Sequence, residues 1–179
     1  MKKNNKGFTL IELLAVIVIL AILVAVAIPS VTKYLNDARK GSMENEAAEL
    51  VTAARTYIVA NNETKSGNFV FDIGKKTAEW KPNGATAVPI TNVVQKNLVN
   101  SPYGNKYQTA YVEVSRDAGT GVSTFKLNLS DGVYCIVGVD ESNLKGSIKT
   151  VNTVNNVAKC GTDANAKEIP KQPTTSNNE

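Results

Sequence analysis

The sequence predicts an α+β protein: a long, bent N-terminal helix packed on a small antiparallel sheet of three to four strands. Three observations predict it. The chain opens on an apolar run, KKNNKGFTLIELLAVIVILAILVAVAI over 2–28, with a single acid inside it. Apolar residues then recur at three-and-four spacing up to Ile58, and from 107 to 139 apolar and polar residues alternate between glycine-containing turns. A stripe of period 3.6 that must bury one face, followed by strands of period 2 with one face to bury, is the pattern of a two-layer helix-on-sheet domain.

The first element is the apolar run. From 13 to 28 every residue is Leu, Ala, Val or Ile. Counted from Phe8 the run is about 21 residues, roughly 32 Å as helix, enough to cross a bilayer core. Lys2, Lys3 and Lys6 precede it, which orients the N-terminus to the cytoplasm and the chain beyond residue 28 to the outside. Ala25-Val26-Ala27 fits a secretory cleavage site, but a secretory signal has no use for Glu12, and a plain anchor would not carry an ionised carboxylate at bilayer depth without a partner.

A third reading gives the acid a purpose. Gly7-Phe8-Thr9-Leu10-Ile11-Glu12 after a short lysine-bearing leader resembles the cleavage and methylation motif of type IV prepilins, a family that includes the pseudopilins of type II secretion. The resemblance implies removal of a cytoplasmic leader, residues 1–7, by a membrane prepilin peptidase and methylase, which would cut between Gly7 and Phe8 and N-methylate Phe8. Gly7, with no side chain, lets a protease approach the backbone. It further implies that Glu12 of an incoming subunit pairs with the Phe8 ammonium of a neighbour. Residues 8–28 would then serve first as transmembrane helix and later as filament core. The partners implied are other copies of the chain and related pilins, the peptidase, an inner-membrane assembly platform and, before assembly, membrane lipid.

Pro29 removes one helix hydrogen bond and predicts a kink, after which the amphipathic half of the helix, 29–60, resumes. Its stripe is Val31, Tyr34, Leu35, Ala38, Ala47, Leu50, Val51, Ala54, Tyr57 and Ile58. Gly41-Ser42 reads as a joint and Asn61-Asn62 as the stop.

The remainder, 61–160, reads as the globular part. Gly67, Gly74, Pro82, Gly84 and Pro89 punctuate 61–106, so an irregular loop is expected there, with one brief strand at 69–73, a short helix at 91–99 capped by Thr91, and Trp80 covering core. The turn 101–107, SPYGNKY, is similar to the Pro-aromatic-Gly turn before the sheet of major pseudopilins. Strands are expected at 107–115, 123–129 and 133–139, with a fourth within 145–157, and a disordered polar tail at 161–179.

Cys135 and Cys160 can form a disulfide if the domain lies outside the membrane, closing a loop of about 25 residues and stabilising it by roughly 3 to 4 kcal/mol. In many pilins such a bond encloses a variable surface loop, which 141–159 resembles by position.

The composition narrows the function classes. There is no histidine and there are only two cysteines, which removes the commonest general base and leaves too few soft ligands for structural zinc. Asp131, Asp140, Glu141 and Asp163 are too dispersed for a calcium site. No catalytic residue, metal or cofactor is expected. The net charge of +4 is spread without a dense basic stripe, which argues against nucleic acid as a partner. The chain therefore reads as a structural filament subunit. A pseudopilin of a type II secretion or DNA-uptake system is the alternative, and a membrane-anchored adhesive domain that never polymerises is the reading from another class.

Overall fold

The structure, a computed structural model, describes residues 7–94 and 98–174. One helix, α1 (Leu10–Ala60), runs through Pro29 and Gly41 without interruption. Nine strands follow: β1 (Gly67–Phe71), β2 (Ala78–Pro82), β3 (Val88–Ile90), β4 (Thr109–Arg116), β5 (Ser123–Ser130), β6 (Tyr134–Asp140), β7 (Lys149–Val154), β8 (Val157–Cys160) and β9 (Lys167–Glu168). The chain divides after Ala38 into two units.

In the first unit every described residue is exposed, including the whole of the apolar run. In the second, α1 buries Met43, Glu46, Ala47, Leu50, Val51, Ala54 and Ile58, a three-and-four spacing that puts one face against the sheet. The helix stops where expected. Asn62 takes a left-handed φ of 50°, the Asn62 N–H donates to Val59 O and the Glu63 N–H to Ile58 O, which together satisfy the last carbonyls.

The strands form one antiparallel sheet in the order β3-β2-β1-β4-β5-β6-β7-β8-β9. The α+β class is as predicted, but the sheet has more than twice the expected strands. Its helix-facing side carries the register row Trp80, Phe69, Val112 and Leu127, all fully buried. Trp80 does cover core.

Three corrections concern the stretches read as loop. First, 61–106 holds three strands, because β1 finds its partners at a distance, β2 on one side and β4 on the other. Second, none of the described residues of 91–99 is helical; residues 95–97 lie outside the described residues. Asn92 has a φ of 54°, which a helix forbids, and the Val93 N–H donates to Lys76 O, so the backbone is spent on the neighbouring loop while Val94 and Leu98 insert into the core. Third, the part of the tail that is described, 161–174, is not disordered. It supplies β9 and then crosses the sheet face opposite the helix, where the Thr109 hydroxyl donates to Pro170 O and Lys81 to Thr174 O.

The fourth strand expected within 145–157 is β7, extended by a tight hairpin to β8. Asn155 and Asn156 both have positive φ, 51° and 62°, the backbone a two-residue hairpin turn requires. The sheet edges are short: β3 has three residues with Pro89 at its centre, and β9 has two.

Candidate functional site

The N-terminal site is built on a single helix turn. Thr9 precedes α1, and its carbonyl accepts the first helical hydrogen bond from the Leu13 N–H at 3.2 Å, making Thr9 the cap. Its hydroxyl accepts from the Glu12 N–H at 3.3 Å and donates to Glu12 Oε2 at 2.7 Å, and the Thr9 N–H donates to the same oxygen at 2.8 Å. This is a capping box, in which cap and third residue satisfy each other's free backbone N–H groups. Glu12 is thereby held at the helix N-terminus, where a carboxylate is also favoured by the helix dipole.

Thr9 has no role of its own in the sequence-based expectations, although its signal is there: Thr-x-x-Glu ahead of an apolar run is the capping-box pattern. Gly7 and Phe8 precede the box outside any regular element. A side chain at Gly7 would meet no atom within 4 Å, so the backbone there is open to approach, and Phe8 is 83% exposed. Gly7, Phe8 and Glu12 thus lie together within one short stretch. From Leu13 to Ile28 the helix presents unbroken apolar surface, and it is the one described helix long and apolar enough to cross a membrane.

The sheet unit carries the other expected pair. Cys135 on β6 and Cys160 on β8 form a disulfide with a Cα separation of 5.7 Å. Cys135 is fully buried, and the bond ties β8 back to β6 across the intervening β7.

Two polar networks brace the same unit. The Tyr107 hydroxyl donates to the buried Glu46 carboxylate, fastening α1 to the chain entering β4. Burial, and then the bond to Glu46, push the Tyr107 phenol well above its ordinary value. Asp131, 3% exposed, accepts from the Ser101 hydroxyl at 2.5 Å and the Asn105 amide at 3.3 Å, and from the Val133 and Tyr134 N–H groups at 2.9 and 2.6 Å. Tyr103 stacks on Tyr134 with ring centroids 3.8 Å apart. The 101–107 turn is therefore clamped to the β5–β6 turn.

Among the described residues no group of three or more His, Cys, Asp or Glu is gathered that could hold a metal ion. Among the described residues, the main open depressions of the sheet unit gather no nucleophile beside a base. One is lined by Arg55, Phe125 and Glu141, and there Arg55 is occupied by Glu141 and the Phe125 ring.

Comparison with known proteins bears on the same stretch. Residues 2–28 match the family model of the prokaryotic N-terminal methylation motif. The type IV major fimbrial protein FimA of Dichelobacter nodosus is 38% identical over 65 residues, 36% of this chain and 42% of that protein. A fimbrial protein of Pseudomonas aeruginosa is 38% identical over 76 residues, 40% of this chain and 49% of that protein. The ComG operon protein 3 homolog of Bacillus licheniformis is 37% identical over 65 residues, 36% of this chain and 66% of that protein. The chain thus spans less than half the length of the fimbrial proteins it matches. No solved structure matches it. The methylation motif matched over 2–28, the apolar helix that begins within it and the fimbrial relatives agree: over its N-terminal part the chain is similar to the type IV pilins.

Proposed function

We propose that this chain is a structural subunit of a type IV pilus-like surface filament. One observation carries the reading: an uninterrupted apolar helix surface from Leu13 to Ile28, wholly exposed in the single subunit, follows a motif whose one acid is Glu12. Apolar side chains gain about 1.5 to 3 kcal/mol each on burial, so a surface of this length has to be covered, first by lipid and then by the same helix of neighbouring copies.

The prepilin is held with its N-terminus cytoplasmic and the sheet unit outside. A prepilin peptidase hydrolyses the Gly7–Phe8 bond, removing 1–7, and the freed amine of Phe8 is methylated while keeping its positive charge. Glu12 of an incoming subunit then pairs with the Phe8 ammonium of a subunit already in place. In an apolar interior neither charge is tolerated alone, so the pair sets the axial register. Residues 8–28 form the filament core, 29–60 join it to the sheet unit, and an inner-membrane assembly platform drives the transfer from lipid. The role is structural, with no catalysis and no cofactor.

The relation to the ComG operon protein 3 homolog favours a second reading, a pseudopilin-type subunit of a secretion or DNA-uptake system. N-terminal mass spectrometry of filaments sheared from the cell surface tests the proposal. The expected mature chain begins at N-methylated Phe8. A membrane-retained chain that still begins at Met1 would refute it and leave a non-polymerising anchored domain. Processed Phe8 in membranes without surface filaments would favour the pseudopilin.

A further inference from the structure

β1 and β4 pair through Val70 and Tyr111, and there the ladder stops. The next two groups, Phe71 O and the Ala110 N–H, do not meet. The Gln172 side chain stands between them: its Nε2 donates to Phe71 O at 2.9 Å and its Oε1 accepts from the Ala110 N–H at 2.7 Å. A side-chain amide has the donor and acceptor of a peptide unit, so Gln172 completes a ladder that the two strands leave open. Residues 169–174, which bring it there, are also held on the outer face by the Thr109 hydroxyl at Pro170 O and by Lys81 at Thr174 O. Val70, Glu79 and Thr109 on that side are 0%, 1% and 3% exposed.

This segment is rooted on the disulfide. Cys160 pairs in register with Lys167 of β9, and the Ile169 N–H donates to Ala158 O, so the crossing starts from the strand the disulfide pins. The pinning matters because β7, β8 and β9 meet the rest of the sheet through a short β6–β7 ladder, Tyr134 with Thr150 and Cys135 with Lys149, lengthened by the Val151 N–H donating to Val133 O. Beyond that ladder and the reach of Lys167 to the Val137 and Gly138 carbonyls, the three strands are held by the disulfide at one end and, at the other, by the 169–174 crossing with its Gln172, Thr109 and Lys81 bonds.

We infer that residues 169–174 form a latch whose closure is linked to the Cys135–Cys160 bond, so that the outer sheet face is sealed in the disulfide form and opened in the dithiol form. Two fastenings that restrain the same three strands are coupled, and by reciprocity each strengthens the other by the same factor. In the dithiol form β8 is free to move off β6, the root of the crossing moves with it, and the Gln172 amide leaves its two partners. The switch is thiol–disulfide exchange. A dithiol reductant such as dithiothreitol supplies two electrons and two protons, leaving thiols at Cys135 and Cys160 and closing to its own cyclic disulfide, and exchange with an oxidised dithiol runs it back.

Amide hydrogen exchange on the full chain in detergent micelles tests the linkage. In the oxidised protein Gln172→Ala is expected to speed exchange at Ala110 about tenfold, the effect of one hydrogen bond, while Val112 in the centre of β4 stays protected. Reduction of the unsubstituted chain by dithiothreitol is expected to give the same local change, and reduction of Gln172→Ala to add little at Ala110. The equilibrium constant for reduction should also rise about tenfold in Gln172→Ala, as reciprocity requires. Ala110 protection that is unchanged by reduction overturns the inference. So does reduction that exposes Val112 together with Ala110, because the latch would then have no opening of its own.

Discussion

Thr9 and Glu12 bind each other in both directions: Thr9 gives its N–H and its hydroxyl to one carboxylate oxygen, and its hydroxyl oxygen accepts the Glu12 N–H. In the single subunit the acid therefore already has partners. Glu12→Ala is expected to leave a processed, membrane-inserted chain that fails to assemble, and filaments of normal yield and symmetry from that variant would sink the proposed pairing with Phe8. Thr9→Val keeps the shape of the side chain and removes the hydroxyl, which should weaken the first turn by about 1 kcal/mol. Amide exchange at Glu12 in micelles should rise severalfold, with the proposed cleavage between Gly7 and Phe8 unaffected.

Alkaline pH should loosen the sheet unit through Tyr107. Its phenol is raised in the folded chain, so above the unfolded value of about 10 the folded state holds a proton that the unfolded state releases, and stability falls as pH climbs. Below that value the contribution is complete. Tyr57, Tyr103 and Tyr111, also raised by burial, act in the same direction. Denaturant midpoints measured from pH 8 to 11 should drop at the upper end, and the drop should be shallower in Tyr107→Phe.

Gly67 is required by contact rather than by backbone angle. A Cβ there would stand 2.3 Å from Lys81 O, 2.8 Å from Pro82 Cα and 2.9 Å from the Trp80 ring. Two of these are backbone atoms of the paired strand and cannot turn aside. Gly67→Ala should cost about 2 to 3 kcal/mol by forcing β1 off β2, read as a lower denaturant midpoint together with a shift in Trp80 fluorescence.

Asp131→Ala should cost about 2 to 3 kcal/mol, since it strips the acceptor from two backbone N–H groups and from the Ser101 hydroxyl at a buried site. Limited proteolysis should then cut first within 101–107. A variant as resistant there as the parent chain would show that the turn is held by the Tyr103–Tyr134 stack instead.

The parts of this fold that were legible in the sequence are those whose pairing is local or whose period is long. The stripe from Ala47 to Ile58 and the meander of β4, β5 and β6 could be read because each buries one face over many residues. The motif at Gly7, Phe8 and Glu12 was legible as an order of residue types. What stayed hidden depends on partners far along the chain. β2 is five residues ending on Pro82, and nothing local marks it as a strand until Phe69 lies beside Trp80. The crossing segment is polar and proline-bearing because it docks through one glutamine amide and a few carbonyls rather than through an apolar face, so its composition reads as disorder. The helix expected at 91–99 had the right apolar spacing, but Val94 and Leu98 enter the core from a chain turned at Asn92.

The shortness of the outermost strands has a consequence for crowding. Many copies gathered in one membrane or one fibre bring sheet borders close, and a long free border would invite strand-to-strand joining between domains. Here one border is a three-residue strand centred on Pro89, which has no N–H to offer, and the other is two residues long. Such borders give a neighbouring domain almost nothing to extend, which protects against runaway β-aggregation. In the proposed filament, the joining of copies is thereby left to the helix.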